Sequence, residues 1–391
     1  MEKHFLILAT TSDFLWKFEM ENVKILQQMG YVVHYAANMN EPHYLPGPEK
    51  IQALGVQAHH IDIARSPFMV QYNYAALHQL AAIIKSYQIR ILHCHTPVGG
   101  LLGRLAGRLC KGLVVIYTAH GFHFYRGAPL LNRVAYYSVE KALAKSTDFL
   151  IVINREDYEI AKKFRLKKNG RVEQIPGVGL DLEKFHPLPE ERRRILRRQL
   201  GIGTEDCFFV SVGELNENKN HRVVLEALDK LRHLRGSLAG IRYGICGDGF
   251  FRDRLQRWIA ELNLSGVVTL YGYRTDIPQI LACADAAVFP SIREGLGMAG
   301  LEALAMGIPV IAADNRGTRE YMRHGKNGFV CSPHNGEEFA RSMERILHLR
   351  EPEKRKIAAD CRASAQPFRQ ADTICRMREI YRMADQRIGE G

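Results

Sequence analysis

The chain lacks any apolar run near the ~20 residues that a membrane-spanning helix requires. Its opening residues, MEKHFLILATTSDF, hold a short apolar run that reaches Asp13 quickly, the pattern of a first β-strand and not of a secretory leader. The eight cysteines stand singly, without a Cys-x-x-Cys pair, a tight Cys/His zinc spacing or a secreted-type framework. They read as reduced, mostly buried thiols of a cytosolic protein. Low-complexity segments and solenoid-period repeats are also missing. No Gly-x-Ser-x-Gly elbow, Walker A loop or metal-dependent Asp-x-Asp occurs. These gaps argue against a membrane-spanning protein, a disulfide-stapled domain, a P-loop NTPase and an α/β-hydrolase.

What is present is a globular composition, 46% hydrophobic and 25% charged, over 391 residues. That length exceeds one ordinary core and implies two domains. The net charge is +12, of which +7 falls in residues 1–185. Two clusters carry much of it: Lys162, Lys163, Arg165, Lys167 and Lys168, then Arg192, Arg193, Arg194, Arg197 and Arg198. Such a balance suits anionic substrates or an anionic membrane face. A solvated helix face or linker is the plainer reading of each cluster. Nucleic acid is not expected, because no recognisable binding motif accompanies the charge.

Strand-like and helix-like segments alternate nearly throughout, which predicts an α/β protein with parallel sheets. HFLILAT, YVVHYAA, ILHCH, LVVIYTAH and FLIVIN read as buried strands, with helices over 17–29, 74–86, 98–110 and 132–145. IPGVGLDLEKFHPLPEE, with Pro176, Pro187 and Pro189, breaks the rhythm. It restarts with the strands CFFVSVGEL, IRYGICG, VVTLYG, AAVFPS and IPVIAA, and helices over 219–234, 250–263, 276–283, 298–306 and 337–349. The expected division is 1–185, 186–367 and a helical tail over 368–391 that packs back on the first domain. Two Rossmann-like halves imply a cleft, with ligands at the C-terminal ends of the strands.

The residues with chemistry fall at those strand ends. Glu294 and Glu302, eight apart in SIREGLGMAGLEALAMGIPVIAAD, flank a Gly-rich turn and a helix start. A helix N-terminus takes a phosphate, and a carboxylate accepts hydrogen bonds from vicinal sugar hydroxyls. The pattern therefore fits a nucleotide-sugar; a dipole-favouring helix acid beside a surface Glu is the bland alternative. In NENKN, Lys219 can reach a phosphate. GDG at 247–249 needs no more than a tight turn. TAHGFHFY clusters His120, His123, Tyr125 and Arg126 beyond a strand end. His93 and His95 of HCHTP point the same way on a strand; with no carboxylate nearby in sequence, they read as core residues and not as a metal pair.

From Val210 to Gly328, the segments VGELNENKNH, ICGDG, VTLYGYRTDI and ADAAVFPSIREGLGMAGLEALAMGIPVIAADNRGTREYMRHGKNGF run in an order that resembles family 4 of the retaining glycosyltransferases. The likeness covers essentially the whole chain and leans toward bacterial enzymes of capsule and exopolysaccharide assembly. It implies the GT-B fold, two Rossmann-like domains facing a cleft with a C-terminal helix crossing back to the first. It also implies that 1–185 binds acceptor and 186–367 binds the nucleotide-sugar. Glu294 should hold sugar hydroxyls and Glu302 the ribose. Gly297, Met298 and Ala299 should give N–H groups to the diphosphate, with Lys219 neutralising it. His120 matches the family histidine close to the transferred sugar. Gly213, Glu214, Tyr273, Arg274, Gly295 and Leu296 complete the donor side. Ser12, His95, His123, Tyr125 and Arg126 are the acceptor-side candidates.

Two departures stand out. Glu214 occupies the position where the family has an Arg five residues before the phosphate Lys, leaving Arg222 or Arg293 to replace it. Thr11, Ser12 and Asp13 replace the Gly-Gly loop usual after the first strand. The function implied is metal-independent transfer of a hexosyl or N-acetylhexosaminyl group from a UDP-sugar to a lipid-linked saccharide, without a cofactor. The expected location is the cytoplasm, at the inner face of the plasma membrane. A non-hydrolysing UDP-sugar epimerase and a non-catalytic GT-B scaffold share the architecture.

Overall fold

The computed structural model describes residues 2–40, 48–124 and 129–389. Two compact units emerge, Met1–Gly179 with Ala371–Gly391, and Leu180–Gln370. The first is built on seven strands: β1 Lys3–Thr11, β2 Tyr31–Asn38, β3 Val56–His60, β4 Ile91–His95, β5 Val114–Ala119, β6 Phe149–Val152 and β7 Arg171–Gln174. The second has six: β8 Cys207–Val212, β9 Ile241–Cys246, β10 Val268–Gly272, β11 Ala286–Phe289, β12 Val310–Ala313 and β13 Gly328–Cys331.

All pairings are parallel, in the orders β3-β2-β1-β4-β5-β6-β7 and β10-β9-β8-β11-β12-β13. Both are Rossmann-like, as expected. Phe5 through Ala9 of β1 are all fully buried. Helices cover both faces of a parallel sheet, so its inner strands carry unbroken apolar runs instead of an alternating pattern. Each unit encloses its own core, Leu6, Leu92 and Val115 in the first and Phe209, Ile245 and Ile311 in the second. In each sheet the order reverses beside the first strand, between β1 and β4 and between β8 and β11. Ligands of open α/β sheets bind beyond the strand ends at such reversals.

The final helix, Gln370–Gly389, belongs to the first unit. Its Tyr381 is fully buried, lies edge-on to Phe5 with ring centroids 5.2 Å apart, and its hydroxyl is 3.0 Å from His93 Nδ1. Arg387 reaches Asp148 at 3.0 Å and Asp385 pairs with Lys3 at 2.9 Å.

The arginine cluster at 192–198 is not simply a solvated face. It lies on helix Glu190–Gln199, where buried Arg197 donates to the carbonyls of Cys283 (2.8 Å) and Gly203 (2.9 Å). Arg193 donates to Asp285 at 2.7 Å. Two of the five cations thus tie the helix to the segment entering β11. In the other cluster, Lys167 donates to Asp148 (2.7 Å) while the remaining four are exposed. All eight cysteines are free thiols, six of them buried. Among the described residues, no helix is long and apolar enough to cross a membrane.

Candidate functional site

In the second unit, Lys219 and Glu294 leave the C-terminal ends of β8 and β11, the two strands at the reversal. Three asparagines bind the loops together. Asn216 accepts from the Lys219 N–H at 3.1 Å, shaping the short turn Glu217–Lys219. The Asn218 side chain accepts from the Arg293 N–H (3.1 Å) and donates to the Arg293 carbonyl (2.9 Å), and the Asn218 carbonyl accepts from the Ile292 N–H (2.9 Å). Asn220, held at φ 52°, donates to the carbonyls of Pro290 (3.2 Å) and Pro333 (2.7 Å). Lys219 Nζ consequently stands 2.7 Å from Glu294 Oε1, in a pair mostly shielded from solvent. The GDG turn closes beneath this loop. A Cβ at Gly247 would fall 1.9 Å from the Gly213 carbonyl oxygen, so only glycine permits that approach.

Beyond Glu294 the chain turns through Gly297, at φ 90°, into helix Met298–Ala305, which begins without a side-chain cap. Its first N–H groups carry the partial positive charge of a helix start. Buried Tyr321 sits behind the turn and donates to the Gly297 carbonyl at 3.1 Å. Glu302 lies on the second turn, enclosed by protein with one edge open. Burial pushes its carboxyl up to about 7, against the pull of Lys184.

Glu214 is exposed. Arg222 pairs with Glu226 at 2.8 Å and its guanidinium lies 5.0 Å from the Trp258 ring centroid. A cation overlooked in the sequence stands closer: buried Arg316 of DNRGTRE, whose Nε donates to the Glu294 carbonyl at 3.4 Å. Its position just after β12, at a strand end, was the available signal. Tyr273 is half exposed after β10, and Arg274 is engaged by Asp276 at 2.8 Å. Buried His221, which opens the helix after Lys219, has no hydrogen-bond partner on either nitrogen among the described residues. Burial, and secondarily Lys219, pushes its pKa down to about 3.

In the first unit, the ends of β1, β4 and β5 gather a second cluster. After β1, Ser12 is buried and Asp13 accepts from Lys17 at 2.6 Å. A π-helical turn, Leu15–Glu19, then points Glu19 inward. Glu19 Oε1 lies 3.3 Å from His95 Nδ1, which in turn is 3.2 Å from His120 Nε2. The sequence offers HCH no neighbouring carboxylate; the fold supplies one from 76 positions upstream. Glu19, His93 and His95 place candidate ligand atoms within 4.8 Å of one another, the density of a metal site. Yet His93 has both nitrogens engaged, with Tyr381 at 3.0 Å and Thr118 at 2.8 Å.

Burial governs the charge state of this cluster. It raises Glu19 to about 8, with Asn22 opposing, and lowers His93 to about 3 and His120 to about 4. His95 falls well below its ordinary value for the same reason. Burial thus favours the uncharged form of each member, which leaves a set of hydrogen-bonding groups able to orient His120. Of the acceptor-side candidates, Ser12 and His95 are buried, while His123 stays partly open against Tyr136, with ring centroids 5.2 Å apart. Tyr125 and Arg126 lie outside the described residues.

Residues 192–362 match the family model described as glycosyl transferases group 1, and residues 5–154 match glycosyl transferase 4-like. The chain is 40% identical over 384 residues to the "Putative glycosyltransferase EpsD" of Bacillus subtilis (strain 168), covering 97% of each. It is 30% identical over 272 residues to the Escherichia coli UDP-Gal:alpha-D-GlcNAc-diphosphoundecaprenol alpha-1,3-galactosyltransferase, covering 69% of this chain and 70% of that one. In fold it resembles Anabaena Alr3699/HepE solved with UDP and glucose, at TM-score 0.77 and 19% identity over 97% of this chain and all of the other. WaaG, a glycosyltransferase of lipopolysaccharide biosynthesis, aligns at TM-score 0.74 and 18% identity over 96% and 99% of the two chains.

Proposed function

The chain belongs to the group 1 glycosyltransferases, and on that premise we propose that it transfers a sugar, with retention, from a UDP-sugar to a lipid-linked glycan in cell-surface polysaccharide assembly. The observation that carries this reading is the meeting of Lys219 and Glu294 at 2.7 Å, at the sheet reversal and beside an uncapped helix start. Before donor binds, each neutralises the other. An arriving diphosphate competes for Lys219 and frees Glu294 to accept from sugar hydroxyls. Glu302, on the same helix, takes the ribose.

The acceptor hydroxyl attacks the anomeric carbon on the face that the diphosphate leaves. The anomeric C–O pair departs with the diphosphate, and the acceptor's proton passes to a leaving phosphate oxygen, so no separate base is required. Lys219 and the first N–H groups of Met298–Ala305 stabilise the charge that builds there. Arg316, held against the Glu294 carbonyl, adds the cation that Glu214 does not supply in place of the family Arg. Positive charge thus comes from the chain itself, and the reading calls on no metal. His120 is assigned to the transferred sugar, oriented from behind by His95.

The lipid-linked acceptor draws support from the E. coli relative, which is named for a diphosphoundecaprenol-linked substrate. With it goes peripheral attachment at the inner face of the plasma membrane, favoured by the exposed lysines of 162–168. The decisive experiment incubates the protein with UDP-sugars, with and without a diphosphoundecaprenol-linked saccharide. The expected result is a donor-dependent rise in melting temperature and sugar transfer only when acceptor is present. Epimerisation of donor alone would assign the chain to the epimerases. Absence of any UDP-dependent stabilisation would leave a non-catalytic scaffold.

A further inference from the structure

Helix Leu130–Ala144 presents an unusual surface. Of its fifteen residues only Leu143 and Ala144 are buried, while Leu130 is 72%, Leu131 86% and Val134 58% exposed. Leu130, Val134 and Tyr137 recur at the i, i+4, i+7 spacing of one helix face. With Phe124 and Ile160 they line an open trough of about 350 Å³, to which Arg133 and Lys163 add two exposed cations. Neither cation has an ion-pair partner among the described residues, whereas neighbouring Lys162 is paired with Glu159 at 2.9 Å.

The trough has a definite place in the fold. A helix that follows a strand of a parallel sheet starts at the C-terminal edge of that sheet. The segment joining β5 to this helix carries His120 and His123, so the trough opens on the edge that holds the histidine cluster. A second apolar group, Phe68, Val70 and Tyr72, begins helix Val70–Ser86 and is more than half exposed. Right-handed crossovers from β3 to β4 and from β5 to β6 put both helices on one face of the sheet.

An apolar floor with two exposed cations fits an amphiphile whose anionic group sits beside a hydrocarbon chain. We propose that this trough receives the phosphate and the first isoprenoid units of the acceptor lipid, with Arg133 and Lys163 on the phosphate and Leu130, Val134 and Tyr137 against the chain. The assignment rests on the reading of a lipid-linked acceptor given above and names the surface that recognises its lipid end. It places the saccharide attached to that phosphate on the side of His120.

The test uses farnesyl diphosphate as the probe, titrated against the full chain without donor. Inorganic pyrophosphate and farnesol serve as half-ligands. Wild type should bind farnesyl diphosphate more tightly than either half. Arg133→Ala/Lys163→Ala should weaken it by about tenfold or more, two charge-assisted hydrogen bonds being lost. Leu130→Asn/Val134→Asn should shrink the advantage of farnesyl diphosphate over pyrophosphate. Both pairs are exposed, and an unchanged melting temperature of the UDP-insensitive transition, that of the first unit, certifies the fold of each variant. Equal affinity in wild type and both variants would overturn the proposal. So would an equal response to phosphatidylglycerol vesicles free of isoprenoid, which would reassign the patch to bilayer adsorption. Because no turnover is read, failure here leaves the transferase reading intact. Failure of transfer, conversely, leaves the binding result standing.

Discussion

Lys219 has two partners in prospect, Glu294 in the free protein and a diphosphate in the complex. A charge-assisted hydrogen bond is worth about 1.5–3 kcal/mol, so Lys219→Ala should lower kcat/KM by about 10- to 150-fold if that bond strengthens as the diphosphate leaves. The same change strips Glu294 of its cation at 2.7 Å in a largely shielded place. A modest fall in melting temperature should accompany the loss, and measuring it separates the kinetic effect from unfolding. Turnover that stays at the wild-type level would remove Lys219 from charge stabilisation. Arg316 was hidden at this scale for a simple reason. An Arg three residues beyond a strand looks like any surface cation until the chain folds it against the Glu294 carbonyl.

Among the elements, the three strands that the sequence conceals all lie at a sheet edge, although β10, an edge strand too, is legible as VVTLYG. β1, β8 and β11 are flanked on both sides and read as nearly continuous apolar runs, while β4 (ILHCH) is legible from its burial between two such strands despite His93 and His95. β3 (VQAHH), β7 (RVEQ) and β13 (GFVC) escape notice, and each is an edge strand with one neighbour. An edge strand needs less apolar surface and tolerates charge, so its pattern fades into that of a loop. The Glu294-to-Glu302 segment was legible because a Gly-rich turn between a buried strand and a helix has few other uses. What holds it was not: Tyr321 arrives from another helix, 24 residues past Gly297. A Cβ at Gly300 would lie 2.4 Å from the Tyr321 hydroxyl. Gly300→Ala should therefore destabilise the turn by about 1–3 kcal/mol, the range for overpacking, and weaken UDP binding. Tyr321→Phe removes the clashing oxygen, so the double variant should be more stable than the two single losses added together. A double-mutant cycle on thermal unfolding measures this coupling. Strict additivity would mean the clash is relieved elsewhere.

For the whole molecule, the two units differ most in what acid does to them. A histidine held below its ordinary value contributes stability that is present above pH 6.5 and lost as pH falls toward its folded value. A carboxyl held above its ordinary value runs the other way: its contribution is complete below about 4.5 and lost as pH rises through its folded value. The first unit contains His34 and His120, both at about 4, and His93 at about 3, with His59 and His95 also lowered, against Glu19 at about 8. The second sets His221 at about 3 against Glu302 at about 7. Between pH 6.5 and 4.5 those two nearly cancel, whereas in the first unit the three histidines held at about 3 to 4 outweigh one carboxyl. Each uncancelled group changes stability by about 1.4 kcal/mol per pH unit, so the first unit should lose several kcal/mol over that interval. Calorimetry at pH 7 and pH 5 should resolve the difference, with UDP marking the transition of the second unit by raising it. The UDP-insensitive transition should fall the further in acid. Were the UDP-sensitive one to fall as far, the buried histidines would not be what makes the first unit acid-labile.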